Sequence, residues 1–261
     1  MKNSFALITG ASQGLGLYLS KELASRGYNL LLVSLPNENL ASSSKNIENE
    51  FNVIVKFYET DLTVKNNIIN LCDWANNYKI SILINNAGCG GSKKITEASL
   101  DYIEKIIQLN IISTSFITKL IIPNLASNTK SYILNVSSMA AFSPIGYKTV
   151  YPASKKFIDY FSLGLREELK EFNISVSVVY PGPMKTNNEV SSRIEKQSGF
   201  VKSGVVSLHE MAFQSIEKML QSKKRVIPGK LNKLSKVILK ILPLNTKIKL
   251  LSKAIKKEIE V

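Results

Sequence analysis

The sequence predicts an α/β chain built on a parallel sheet with helices on both faces, and three observations carry that prediction. Short apolar runs alternate with helix-length segments from residue 5 to residue 227. The runs are apolar on both faces, as strands buried between two helical layers are. A glycine-rich turn, residues 9–16, separates the first run from an amphipathic segment ending near Arg26, which is the strand–turn–helix context of a dinucleotide-binding loop.

Taken in order, the expected strands are residues 5–9, 28–34, 53–58, 80–85, 131–137, 174–180 and 225–227. The first ends in Thr9-Gly10-Ala11-Ser12-Gln13-Gly14-Leu15-Gly16. Gly10 permits a tight turn, Gly14 lets backbone approach a pyrophosphate, and Gly16 lets the helix sit close to the strand. The helix start then offers free N–H groups and a favourable dipole to an anion. The spacing is Gly-x3-Gly-x-Gly, not the commoner Gly-x-Gly-x-x-Gly. The fourth strand ends in Asn85-Asn86-Ala87-Gly88, the fifth in Ser137-Ser138, and the sixth in Tyr180-Pro181-Gly182 with Thr186 soon after. Ligands of doubly wound sheets bind at these carboxyl ends. The polar stretch 187–204 lacks periodicity and is expected to be a mobile loop over the site.

Tyr151 and Lys155 stand four residues apart, on one face of an expected helix. A free phenol, with a pKa of about 10, is a poor catalyst at neutral pH, and a neighbouring ammonium favours its ionised form. Asn110 lies inside the long helical segment after the fourth strand. Each of these residues has an ordinary structural use, but their gathering at one edge of one sheet points to a shared site.

Composition narrows the class. A chain of 261 residues suffices for one large α/β domain. Cys72 and Cys89 show neither metal nor disulfide spacing and read as reduced thiols of a cytoplasmic protein. Met1-Lys2-Asn3-Ser4 leads straight into the first strand, so no signal peptide is expected. No apolar run is expected to reach the length of a membrane span. His209, the sole histidine, is expected to cap a helix or lie on the surface.

These motifs resemble the short-chain dehydrogenase/reductase family over about residues 4–230, with Ser138 thirteen residues before Tyr151. The resemblance implies a Rossmann-type, seven-stranded parallel sheet in the order 3-2-1-4-5-6-7. It implies an NAD(P)(H)-dependent oxidoreductase moving hydride between nicotinamide and a carbonyl or secondary alcohol. Tyr151 would be the proton donor, and Lys155 would lower its pKa and hold the nicotinamide ribose. Ser138 would bond the carbonyl oxygen, and Asn110 would hold a water of the proton relay. Gly10, Ser12, Gln13, Gly14, Leu15, Gly16, Asn86, Ala87 and Gly88 would line the cofactor, as would Tyr151 and Lys155. Asp61 and Leu62 would meet the adenine, and Pro181, Gly182 and Thr186 the nicotinamide. Ser34 would stand where the ribose 2′ position is read. No acid follows at Leu35 or Pro36, which favours NADP(H) over NAD(H), although no arginine follows either and Gln13 is not basic. Homodimers or homotetramers would form on the helices after the fourth and fifth strands. The alternative is a non-catalytic dinucleotide-binding sensor or scaffold, which has no need of the Ser-Tyr-Lys set.

The expected division is a catalytic domain, 1–229, and a basic helical extension, 230–261. Of the net charge of +14, most lies at the end: residues 223–261 hold eleven lysines and Arg225 against Glu258 and Glu260. Apolar residues recur there at helical spacing, broken at Pro243. Such helices suit an anionic membrane surface, giving a cytoplasmic protein with peripheral contact at the inner face, or else cover the substrate cleft or a subunit interface with their lysines merely solvated. Nucleic acid is not expected, because no aromatic residue interleaves with the lysines. The resemblance also implies apolar or acyl-chain substrates, through the Pro228-Gly229-Lys230-Leu231-Asn232 start of the tail.

Overall fold

A computed structural model describes residues 4–182 and 206–259. Thr186 and the expected loop 187–204 therefore lie outside the described residues. Seven strands, β1 (Phe5–Thr9), β2 (Asn29–Ser34), β3 (Val55–Glu59), β4 (Ile80–Asn85), β5 (Ser131–Val136), β6 (Ile174–Val179) and β7 (Arg225–Val226), form one sheet. Its order is β3-β2-β1-β4-β5-β6-β7, and every pair is parallel.

Alternation along the strands divides the core in two. Ile8, Leu32, Ile84 and Leu134 pack on one face against α1 (Gly14–Ser25), α2 (Leu40–Phe51) and α7 (Leu208–Leu220). Leu7, Leu31, Leu83 and Ile133 pack on the other against α3 (Lys65–Ala75), α5 (Ser113–Ala126) and α6 (Val150–Glu168). All these strand residues are fully buried, which is why the strands read as unbroken apolar runs. The largest departure from the expected boundaries is β3, which starts two residues late because Val55 is the first residue in register with β2, at Leu30.

α4 (Leu100–Ile107) runs into α5 through one wider turn, residues 108–112, of the i→i+5 type. The expectation that nothing here reaches the length of a membrane span is corrected by this helix. Leu100–Ala126 is long and apolar enough to cross a bilayer by length and composition. It is instead a core helix, with Ile117, Ile121 and Leu125 buried against the sheet. His209 is exposed in the first turn of α7, whose cap is Ser207, accepting from the Glu210 N–H. Beyond β7 the chain forms α8 (Lys230–Ile241) and α9 (Leu244–Ile259).

Candidate active site

The carboxyl ends of β1, β4, β5 and β6 open into one crevice of about 920 Å³. All the sequence-predicted site residues that the structure describes line it, except Asn110.

The glycine loop is built by backbone constraint. Gly10 and Gly14 take positive φ, +67° and +54°. A Cβ on Gly16 would lie 1.9 Å from the Gly10 carbonyl oxygen, so only glycine lets α1 pack this closely. Asn86 locks the loop to β4: its side-chain amide donates to the Thr9 and Gly10 carbonyls at 2.9 and 3.0 Å, and the Thr9 hydroxyl accepts from the N–H groups of Asn86 and Ala87. α1 begins without a side-chain cap and without an acid in its first turn. Its first N–H groups thus face the crevice with no carboxylate from the helix's own first turn, which fits the pyrophosphate of a dinucleotide.

At the catalytic end, α6 carries Tyr151 and Lys155. Lys155 is buried; its ammonium donates to the Val136 carbonyl at 3.0 Å, and its own carbonyl accepts from the Ser137 hydroxyl at 2.7 Å. Ser138 and Tyr151 both line the crevice, and the Ser138 hydroxyl favours the ionised phenol. The expectation that Lys155 lowers the phenol pKa is corrected. Burial dominates both groups: it pushes Tyr151 up, with Ser138 pulling the other way, and Lys155 down to about 8. A neighbour is legible in sequence, whereas desolvation is not.

One result follows from that lowered lysine. The ammonium is the form that grips ribose hydroxyls most strongly, and it loses its proton as pH rises through about 8. Dinucleotide affinity of the free protein should therefore weaken by about tenfold one unit above that pKa. Calorimetric titration at pH 7 and 9 reads this directly. Unchanged affinity at pH 9 would show that Lys155 does not hold the ligand by its charge.

Asn110 sits in the wide turn between α4 and α5, a device that re-aims a side chain. Its amide donates to the Cys89 carbonyl and the Ser154 hydroxyl, both at 2.9 Å, and its oxygen accepts from the Cys89 N–H at 2.9 Å. Within the chain it clamps Cys89 and the catalytic helix; it makes no direct bond to Lys155.

Several lining residues escaped sequence reasoning. A Cβ on Gly90 would lie 2.5 Å from the Tyr151 ring, so Gly90 is the floor on which the phenol rests. A Cβ on Gly182 would collide with Asn232 of α8, so that helix packs directly on the Pro181-Gly182 turn. Glu38 joins Ser34 and Asp61 at the far end of the crevice and accepts from the Ser12 hydroxyl at 2.5 Å. Asn37 and Asn39, at φ +65° and +56°, swing it back, and no pattern at residues 34–36 announces this.

Behind the site lies a charged knot. Asp159, one turn beyond Lys155, is fully buried and accepts from the Tyr180 hydroxyl, from Arg225 at 3.0 Å and from Lys156 at 2.8 Å. Burial pushes its carboxyl up, but the three donors together hold it below its ordinary range. Tyr180 immediately precedes Pro181-Gly182, so the knot joins the catalytic helix to the end of β6.

Comparison with known proteins agrees with this architecture. The family of short chain dehydrogenases matches residues 4–197. The chain is 31% identical over 211 residues to a very-long-chain 3-oxoacyl-CoA reductase of Mus musculus, covering 77% of this chain and 67% of that protein. The rat counterpart is matched over only 58% of its length. A short-chain dehydrogenase from Sphingobium yanoikuyae, solved with NADPH, superposes with a TM-score of 0.78 at 25% identity, covering 92% of this chain and 96% of that one. A 7β-hydroxysteroid dehydrogenase shares the fold, with a TM-score of 0.86 at 21% identity over 96% of this chain and 97% of its own.

Proposed function

The chain belongs to the short-chain dehydrogenase family, and on that premise we propose that it is a nicotinamide-dinucleotide-dependent oxidoreductase acting on a carbonyl or secondary alcohol of an apolar substrate. The observation that carries the proposal is the meeting of Ser138, Tyr151 and Lys155 in the same crevice as the glycine loop. A binding-only protein has no use for a buried acid beside an anion cradle.

The dinucleotide supplies or takes the hydride when bound. Everything else falls to the chain. The N–H groups at the start of α1 hold the pyrophosphate, and Lys155, anchored on Val136, presents its ammonium to ribose hydroxyls. A phenol is protonated at neutral pH, and burial of Tyr151 strengthens that state. It therefore stands ready to give a proton to a carbonyl oxygen, which favours reduction, and oxidation needs higher pH. Ser138 donates to the same oxygen as negative charge develops on it.

The substrate class comes from the roof. Beyond Tyr151 the crevice continues beneath α8 and α9, lined by Leu239, Leu242, Leu251, Ala254 and Ile255. That lining suits a hydrocarbon chain or another bulky apolar group. The likeness to the mouse very-long-chain 3-oxoacyl-CoA reductase supports a ketone on a long chain.

For the cofactor, Glu38 shifts the balance that sequence alone placed with NADP(H). Its carboxylate suits a ribose 2′-hydroxyl and repels a 2′-phosphate. The lysines lining the crevice, Lys105, Lys148 and Lys155, all stand at the other end. NADH should therefore raise the melting temperature more than NADPH at equal concentration, by ligand linkage. Glu38→Gln should narrow the gap. A larger shift with NADPH in the unmodified protein would restore the opposite preference. Turnover of a panel of ketones, short and long, with each cofactor tests the proposed reaction itself.

A further inference from the structure

α8 has two apolar sides. One side, with Leu239 and, just past the helix end, Leu242, faces the crevice. The other carries Leu234, Val237 and Ile241 at helical spacing, exposed by 51, 52 and 76%, and Leu244 at the start of α9 extends the row at 54%. Single exposed apolar residues are ordinary, but a contiguous row marks a contact surface. Lys233 and Lys240 are exposed on the same helix. The row does not hang loose. The Ser252 hydroxyl of α9 accepts from the Gly146 N–H at 2.7 Å, and Glu258 accepts from Ser92 at 3.1 Å, so α9 is fastened across the crevice, while on α8 the Lys236 ammonium stands 5.5 Å over the Phe142 ring.

We propose that this outward face of α8 docks on the surface of a bilayer containing anionic lipid, and that substrate reaches the crevice from that leaflet. The second clause rests on reading the crevice as a site for apolar substrates. Charge decides the occupant. The last 39 residues hold eleven lysines and Arg225 against two glutamates. Two copies meeting through this face would bring like charges together, whereas an anionic lipid surface attracts them. Nucleic acid would leave the apolar row without a partner, and neither helix offers an aromatic ring for stacking. An amphipathic helix in this setting lies in the interface plane, its apolar side sunk roughly 5–10 Å into the headgroup boundary. That places the roof of the crevice at the lipid.

The test is co-sedimentation with phosphatidylcholine vesicles, with and without phosphatidylglycerol, at low and high salt. The full chain should pellet with the anionic vesicles at low salt and leave them as salt rises, because the attraction is screened within roughly 8 Å at physiological ionic strength. The triple variant Leu234→Ser/Val237→Ser/Ile241→Ser should lose at least about tenfold in partitioning, on the scale expected of buried apolar area. It should keep its melting shift with dinucleotide and its rate on a short, water-soluble ketone, and lose rate only on a long-chain methyl ketone presented in the vesicles. Lys233→Glu/Lys240→Glu, which removes no apolar surface, should also release the protein. The docking idea is overturned if the full chain stays in the supernatant, if both variants bind as the unmodified chain does, or if the triple variant only dissociates an oligomer. If vesicles bind but no ketone is turned over, docking stands and the proposed reaction fails.

Discussion

Tyr151→Phe should lower kcat by at least about 100-fold while leaving dinucleotide binding intact, because positioned acid–base groups contribute about 10²–10⁴ in rate. The change removes one oxygen and keeps the ring, and the ring is what rests on Gly90. It leaves untouched the glycine loop and the anchors of Lys155 on Val136 and Ser137. A variant that retains more than about a tenth of the rate on a good substrate would remove Tyr151 from the chemistry. Equal loss of dinucleotide affinity would make the residue structural instead.

Asp159→Ala should destabilise the fold by about 3 kcal/mol, at the lower end of what breaking a buried charged pair costs. The loss leaves the buried Tyr180 hydroxyl without its acceptor and Arg225 without its carboxylate. For a chain of this size the melting temperature should drop by roughly 6–12 °C. Because the folded carboxyl is held below its ordinary value, its contribution is fully present above the unfolded pKa of about 4 and disappears as pH falls through the folded one. Acid unfolding of the variant should lack that component. Asp159→Asn, which keeps two hydrogen-bonding atoms in place, should fall between the two. A melting temperature within 2 °C of the unmodified chain would show that the knot is dispensable.

Much of this site was legible in sequence because it is made of local constraints. Gly10 must turn with positive φ and Gly16 must lack a side chain, so those residues declare themselves. Asn86, Ser138, Tyr151 and Lys155 stand at strand ends or one helical turn apart, where spacing implies proximity. What stayed hidden depends on packing between distant segments. Glu38 reaches Ser12 only through two left-handed asparagines. Gly90 matters through the ring of Tyr151, sixty-one positions on. The amphipathic tail announced an apolar stripe but not that α8 would carry two, one turned inward and one outward. The sign of the Tyr151 shift was misread for the same reason, since burial is a property of the whole fold.

Lys155 is fastened at both ends, by its ammonium on Val136 and by its carbonyl under Ser137. A lysine side chain free in solution carries about 2 kcal/mol of rotational entropy, and here that freedom is lost when the chain folds. Nothing at that atom is left to order when a ligand arrives, so recognition at the ribose carries no separate entropic cost. The tightness of the complex is thus partly a property of the empty protein, drawn from its folding stability.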